Sequence, residues 1–244
     1  MAAEIFLVRT MSDTVETDIQ RVFTIANEIL PRYGMSRLTF EQLRKIADGP
    51  FDLFLIPHIF AREYRRDPDV RFNERKRLEI RTHALEIARR HRFDVEPPPL
   101  VPGIERSLEQ TRAAGLRNVL LTTGGRRFKH EAMEKHGIGA FFEEIVDRDQ
   151  TYYAKEQGLY YLFRKHRLPK LRILLLTGTA SYVRAGANAD GCKVGDSELE
   201  VRTIALANEF SYNDPETLAA AKPDLLIHGF EELLSGLKER QWLG

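Results

Sequence analysis

Short apolar runs alternate with helix-like segments from residue 104 to the end of the printed chain. Within the helix-like segments, apolar residues recur every three or four positions, which places them on one face of a helix. Strands that alternate with helices in this way are typical of a parallel sheet with helices on both faces. We therefore predict an α/β fold with a doubly wound parallel sheet. The predicted strands are 4–8, 119–123, 142–146, 172–178, 203–207 and 225–227, and the predicted helices are 104–114, 128–136, 156–166, 183–190, 215–221 and 230–238.

The first hundred residues follow a different pattern, in which helical spacing dominates after the first strand. Ser12 or Asp13 is a suitable N-cap for a helix that follows that strand. A second helix is predicted from Thr39, because Thr39 and Gln42 have the spacing of a capping box. Residues 62–92 are charged, with more basic than acidic side chains, and also show helical spacing.

Consecutive prolines at 97–99 mark a domain boundary, because proline neither continues a helix nor donates to a sheet. Residues 51–60 are apolar and fit either a helix or a buried connection. We predict a core domain made of residues 1–13 and 97–244. A helical cap domain of residues 14–96 is inserted into it.

Composition narrows the possible classes of protein. The chain has 244 residues, of which 43% are hydrophobic and 30% charged, and this suits one sizeable soluble domain with an insert. A net charge of +1 provides no overall attraction to nucleic acid or to a membrane surface. A single cysteine, Cys192, excludes an internal disulfide. With no signal peptide or membrane span evident, we expect a cytoplasmic protein.

Hydroxyl side chains and glycines follow the predicted strands. Ligands of parallel sheets bind beyond the carboxyl ends of the strands. Those ends are Thr10, the run Thr122, Thr123 and Gly124, and the segment 177–179. Where a strand leads through a glycine turn into a helix, backbone N–H groups can bind an anion. The sequence therefore predicts an anion pocket at this edge.

Several segments together resemble the haloacid dehalogenase superfamily, in particular its phosphoglycolate-phosphatase-like members with a helical cap. The segment 115–123 resembles the family's second motif, a strand ending in a hydroxyl residue, and Thr122 falls on the residue that holds the transferred phosphate. Lys155 falls where the third motif has its lysine, although Glu156 replaces the usual proline. The segments 101–108, 137–146 and 173–178 resemble the chain's return from cap to core and two further core strands. The resemblance implies a Rossmann-like core with an inserted cap.

The family's catalytic acids are missing at the positions where the resemblance places them. Without a gap, the aspartate nucleophile and the acid/base fall on Phe6 and Val8, while Thr10 keeps its hydroxyl. The acids of the fourth motif, which bind Mg²⁺ in the family, fall on Thr179 and Val183. An aromatic or aliphatic side chain supplies no oxygen nucleophile, and magnesium requires oxygen ligands.

The leading prediction is therefore a non-catalytic binding, regulatory or assembly protein without a cofactor. It would keep an anion pocket for a small phosphorylated ligand at Thr10, Thr122, Thr123, Gly124 and Lys155. A protein partner is compatible with the assembly role, and nucleic acid is not expected.

The alternative is an active Mg²⁺-dependent phosphomonoester hydrolase whose acids lie outside the alignment, such as Asp13 or Asp196. Asp196 belongs to a Gly-Asp-Ser copy of the fourth motif, but no apolar strand precedes it, so a surface loop is predicted there. A third hypothesis is polyanion binding through the basic residues of 62–92. The competing interpretation of this segment is a solvated helix face whose charges form ion pairs.

Overall fold

The computed structural model describes residues 4–47, 58–59, 74–93, 95–123, 126–151, 154–166 and 170–243. Residues 51–57 and 62–73, which include much of the apolar and basic segments discussed above, lie outside these ranges. Among the helices of the described residues, none has the length and apolar content needed to cross a bilayer.

The strands of the described residues form a single seven-stranded sheet. They are β1 (Glu4–Thr10), β2 (Arg117–Leu121), β3 (Glu144–Val146), β4 (Lys170–Thr177), β5 (Lys193–Val194), β6 (Ser197–Leu206) and β7 (Leu225–Ile227). The order is β3-β2-β1-β4-β6, all parallel, with β7 parallel to the end of β6 and β5 antiparallel to its beginning. The predicted α/β class with a parallel sheet is confirmed, and the short β5 is the one antiparallel addition among the described strands.

Eleven α-helices lie in the described part of the chain. They are α1 (Met11–Thr14), α2 (Ile19–Ile29), α3 (Phe40–Ile46), α4 (Glu74–Arg90), α5 (Ile104–Ala113), α6 (Arg126–Lys135), α7 (Arg148–Thr151), α8 (Lys155–His166), α9 (Ala180–Ala189), α10 (Pro215–Ala220) and α11 (Leu233–Glu239). Short 3₁₀ turns occupy Leu30–Tyr33, Gly139–Phe141 and Phe230–Glu232.

The sheet has an apolar layer on each face, because successive side chains of a strand point to opposite sides. On β1, Leu7 belongs to the layer formed with α5, α6 and α11. Phe6 and Val8 belong to the opposite layer, which contains Leu159 of α8 and Tyr182 of α9. Burial on both faces explains why the strands read as continuous apolar runs in the sequence.

Helices α2, α3 and α4 pack around a separate apolar cluster, here called the cap cluster, whose buried side chains include Ile29, Leu43 and Ile87. The chain leaves and re-enters the sheet region along two paired segments. Thr17 N donates to Pro99 O at 2.8 Å, and Val101 N donates to Val15 O at 2.8 Å. The proline run thus lies at this connection, and the division into domains at residues 14 and 96 remains a prediction.

Helix initiation in this region matches one prediction and contradicts another. The capping box is confirmed, since Gln42 N donates to Thr39 Oγ1 at 3.1 Å and Thr39 N to Gln42 Oε1 at 2.8 Å. The prediction that Ser12 or Asp13 caps the first helix is wrong. Instead, Asp13 lies inside the four-residue helix α1, and α2 begins only at Ile19. Tertiary hydrogen bonds to the Asp13 side chain, described below, replace the local cap.

The charged segment predicted to be helical contains α4, but its apolar positions are not all buried. Ala84 and Ile87 pack into the cap cluster, whereas Leu78 is 63% exposed and Leu85 is 48% exposed. Helical spacing therefore identified the helix but not the whole of its buried face.

Glycine at position 158 allows α8 to approach the sheet closely. A Cβ atom there would overlap Leu121 Cδ1 and lie 3.2 Å from Thr151 Cγ2. We expect Gly158→Ala to lower the free energy of unfolding by about 1–3 kcal/mol through overpacking, despite the better helix propensity of alanine. Urea denaturation measures this. Gly139→Ala is the matched control, because its nearest neighbour would be Met133 Cβ at 3.8 Å. Equal stability of the Gly158 variant and the parent protein would contradict the close packing.

Candidate functional site

A buried carboxylate lies where the carboxyl ends of β1 and β4 meet. Asp13 is 1% exposed and accepts hydrogen bonds from three threonine hydroxyls. Thr10 Oγ1 donates to Oδ1, Thr179 Oγ1 donates to Oδ2 at 2.5 Å, and Thr177 Oγ1 is 3.4 Å from Oδ2. The Gly178 backbone N–H also donates to this carboxylate. We call Asp13 with Thr10, Thr177 and Thr179 the Asp13 cluster.

Burial raises the pKa of Asp13 to about 6, because the ionised form loses its hydration. Hydrogen bonds from Thr10 and Thr179 act in the opposite direction, and the nearby charge of Asp18 raises the pKa further. A carboxyl group with this pKa gains and loses its proton close to neutral pH. Such a group is suited to general acid–base chemistry.

Two further threonines extend the edge along the neighbouring strand. Thr10 pairs with Leu121 in the sheet register, so Thr122 and Thr123 follow immediately beyond the paired positions. Both are buried, and Thr122 N continues the ladder by donating to Val146 O at 2.8 Å. Gly124, the remaining predicted member of the anion pocket on this strand, lies outside the described residues.

Lys155 connects the start of α8 to the first turn of α9. Its Nζ atom donates to Ser181 Oγ and lies 4.8 Å from the centre of the Tyr182 ring. The side chain is 9% exposed. Lys155 thus lies against the first turn of α9, the helix that begins directly after Thr179. The described residues of the predicted anion pocket therefore lie along one edge of the sheet.

The positions at which the resemblance places the nucleophile and the acid/base, Phe6 and Val8, do not lie at this edge. Phe6 and Val8 are fully buried in the interior of β1, packed in the apolar layer beneath α8 and α9. The strand continues to Thr10, so its carboxyl end lies beyond both residues. Val183 is also fully buried, with Ala205 and Leu218, in an apolar contact. Of the four positions, Thr179 alone belongs to the Asp13 cluster.

Asp196 lies far along the sheet from Asp13. It is exposed and occupies the turn between β5 and β6, where Gly195 has a φ of 61°. The predicted surface loop is thus a tight hairpin, at the amino end of β6 rather than at the carboxyl edge. Within the described ranges, there is no group of three or more His, Cys, Asp or Glu side chains able to hold a metal.

Sequence reasoning did not identify the roles of Thr177, Ser181 and Asn213. Thr177 and Ser181 flank the Thr179 position, so the strand-end pattern could have indicated them. Asn213 follows β6 and accepts a hydrogen bond from Ala180 N through Oδ1 at 2.7 Å. No local signal in the sequence relates a loop asparagine to the first residue of a distant helix.

Comparison with known proteins relates the chain to phosphatases. It is 22% identical over 239 residues to a phosphoglycolate phosphatase from Photobacterium profundum, covering 96% of this chain and 95% of the relative. A phosphoglycolate phosphatase from Vibrio parahaemolyticus is 26% identical over 137 residues, and this match spans 55% of each protein. No family model matches the chain.

A solved haloacid dehalogenase-like family hydrolase from Streptococcus pneumoniae has the same fold. The TM-score is 0.68 at 14% identity, with 96% of this chain and 98% of the other covered. The chain thus has the phosphoglycolate-phosphatase-like fold of the haloacid dehalogenase superfamily.

The prediction of a non-catalytic protein is contradicted by these relatives, whose names are those of phosphatases and hydrolases. Its physical error was to give more weight to the missing carboxylates at Phe6 and Val8, which lie inside the strand, than to the alternative that named Asp13. The carboxylate at the carboxyl edge comes from Asp13, one turn beyond the strand end.

We expect Asp13 to make the stability of the protein depend on pH. Its pKa is raised to about 6 in the folded state from an ordinary value of 3.8, so its contribution is fully present below pH 3.8 and is lost as pH rises through 6. This shift corresponds to roughly 3 kcal/mol. The Asp13→Asn variant keeps a hydrogen-bonding side chain but does not titrate. Urea denaturation between pH 4 and 7.5 should therefore show a smaller loss of stability in this variant, and parallel curves for both proteins would refute the buried titration.

Proposed function

We propose that this chain hydrolyses phosphate monoesters of small organic molecules at the carboxyl edge of its sheet, with Asp13 as the general base. The observation that carries the proposal is the Asp13 cluster, a buried carboxylate with a pKa raised to about 6. Its position at the ends of β1 and β4 is that of ligand sites in parallel sheets. The names of the relatives indicate phosphoglycolate as the first substrate to test.

Binding of the phosphate group is assigned to the predicted anion pocket. Lys155 supplies a positive charge, and Thr122 and Thr123 supply hydroxyl donors beside it. Ser181 lies in the first turn of α9, where the helix dipole favours a negative charge. Lys155 would exchange its bond to Ser181 for one to a phosphate oxygen.

The role of Asp13 follows from its charge and its hydrogen bonds. Above pH 6 it is ionised, and an ionised carboxylate can accept a proton from a water molecule that attacks phosphorus. The P–O ester bond breaks as the new P–O bond forms, and the alcohol leaves after taking up the proton that Asp13 accepted. The hydroxyls of Thr10 and Thr179 fix the orientation of the carboxylate. Reorganisation during the reaction is thereby reduced.

A phosphate hydrolase of the kind proposed is expected to use Mg²⁺, and the oxygen atoms at this edge of the sheet are suitable ligands for that ion. Mg²⁺ takes hard oxygen ligands, commonly one or two carboxylates together with substrate phosphate oxygens and water. The hydroxyl oxygens of Thr10 and Thr179 are hard donors of this kind and, with substrate phosphate oxygens and water, would hold the ion beside Asp13, which stays free to act as the base. When bound, the ion would neutralise the negative charge that accumulates between the carboxylate and the phosphate.

We expect purified protein to hydrolyse phosphoglycolate in the presence of Mg²⁺, with kcat/KM rising as pH increases through about 6. The Asp13→Asn variant should be slower by roughly 10²- to 10⁴-fold, the usual contribution of a general base. Phosphate release from phosphoglycolate and from an aryl phosphate, with Mg²⁺ and with EDTA, measures this.

Asp196→Asn is the matched control and should keep the parent rate, because Asp196 is exposed on the hairpin turn. Turnover that survives Asp13→Asn unchanged would remove Asp13 from the mechanism. Absence of turnover above a blank on both substrates would refute the proposed function.

A further inference from the structure

We infer that Asn213 is a positioning residue that couples docking of the cap cluster to the geometry of the Asp13 cluster. Asn213 is 3% exposed and lies in the loop after β6. It contacts the segment 178–180 on one side and the end of α3 on the other. The proposed role in turnover rests on the proposed function, whereas the structural coupling can be tested without it.

On the core side, Asn213 forms hydrogen bonds to both residues that flank Thr179 in the segment 178–180. Its backbone N donates to Gly178 O at 3.1 Å, and its side-chain Oδ1 accepts from Ala180 N at 2.7 Å. Gly178 N and Thr179 Oγ1 in turn donate to Asp13. One residue therefore fixes two of the groups that orient the carboxylate.

The loop after β6 lies so close to the segment 178–180 that position 178 has room only for a glycine. A Cβ atom on Gly178 would lie 2.8 Å from Ser211 Cβ and 3.0 Å from Ser211 Cα. Real Cβ atoms do not approach neighbours so closely, so any side chain would push the loop, and Asn213 with it, away from the site.

On the cap side, Asn213 Nδ2 donates to Arg44 O at 2.8 Å and to Ala47 O at 2.9 Å. The Arg44 guanidinium returns a hydrogen bond to Asn213 O at 2.8 Å and makes another to Asn208 O at 2.8 Å. Next to this contact, Tyr212 packs within the cap cluster and donates to Asp18 Oδ1 at 2.6 Å. The loop is thus attached to the cap by five hydrogen bonds, one of them buried and four partly buried.

The Asn213 side chain can bond to both the core and the cap because each presents backbone groups that a helix end leaves without a partner inside the helix. Ala180 N is at the beginning of α9, and Arg44 O and Ala47 O are at the end of α3. A carboxamide has one acceptor oxygen and two donor hydrogens, so a single asparagine side chain satisfies all three groups. The smaller hydroxyl of serine also accepts and donates, but its single donor hydrogen cannot satisfy both carbonyls.

Four variants separate the two sides of this contact. Asn213→Ala removes both, and Asn213→Asp keeps an acceptor for Ala180 N but places an acceptor against the carbonyls of α3. Arg44→Met weakens the cap side alone. Asn27→Ala is the matched control, because Asn27 also bridges backbone groups, to Leu38 N at 2.7 Å and Leu38 O at 3.0 Å, but entirely within the cap.

Hydrogen exchange of the α3 and α9 amides is measured first. In Asn213→Ala, we expect the Ala180 amide to exchange roughly tenfold faster, because it loses its acceptor. The Ala47 amide, which donates to Leu43 O, should also exchange faster, because the end of α3 loses the donors to Arg44 O and Ala47 O. In Asn213→Asp and Arg44→Met, only the end of α3 should exchange faster. Unchanged exchange at Ala180 in Asn213→Ala, or an equal change there in the Asn27→Ala control, would overturn the coupling.

Steady-state kinetics with phosphoglycolate then distinguishes positioning from general stability. Asn213→Ala should lower kcat roughly tenfold, since Thr179 and Gly178 lose their support. Asn213→Asp should restore most of kcat while raising KM, because the acceptor for Ala180 is retained and the cap side is lost. Equal losses of kcat in the alanine and aspartate variants would overturn the positioning role. A parent protein without turnover would refute the proposed function, and the exchange experiment would still decide the coupling.

Discussion

The burial of one carboxylate at the meeting point of β1 and β4 is the constraint on which the proposed chemistry depends. Removing the Asp13 carboxylate from water is costly unless donors replace its hydration. Threonines at the ends of both strands and the Gly178 N–H provide those donors. The replacement is incomplete, which is why the pKa remains raised to about 6. A fully compensated carboxylate would be structural, whereas this one is left able to exchange a proton.

Most of the sheet could be predicted from the sequence, because its strands are buried on both faces. Runs such as 173–176 of β4 are apolar without alternation, whereas the first half of β6 alternates polar and apolar residues. The start of the cap could not be predicted in the same way. Ser12 and Asp13 have good local N-cap propensity, but long-range bonds from Thr177 and Thr179 to Asp13 outweigh it. The β5–β6 hairpin was missed because its two-residue strand is too short to show a period.

The site could be predicted in part. Residues whose role follows from their immediate neighbours in the sequence were found, and residues whose partners are distant in the sequence were not. Thr122 and Lys155 carry local signals, since one ends a strand and the other begins a helix. Asn213 carries none, because its partners on α3 are 166 and 169 positions away in the sequence. The prediction of a non-catalytic protein was wrong for a related reason. An ungapped comparison considers only fixed positions along the chain, whereas a carboxylate can also reach the sheet edge from a following helical turn, as Asp13 does.

Cap position and the basicity of Asp13 are connected by the same electrostatics. Loss of hydration is the largest cause of the raised pKa of Asp13, and the charge of Asp18, at the start of α2, adds to it. Asp18 is held by Tyr212, the neighbour of Asn213, so the docked position of the cap also fixes this charge. Movement of α2 away from the sheet would take Asp18 with it and admit water to the carboxylate. Both changes lower the pKa of Asp13. Under the proposed function, undocking of the cap would therefore lower the proton affinity of the base.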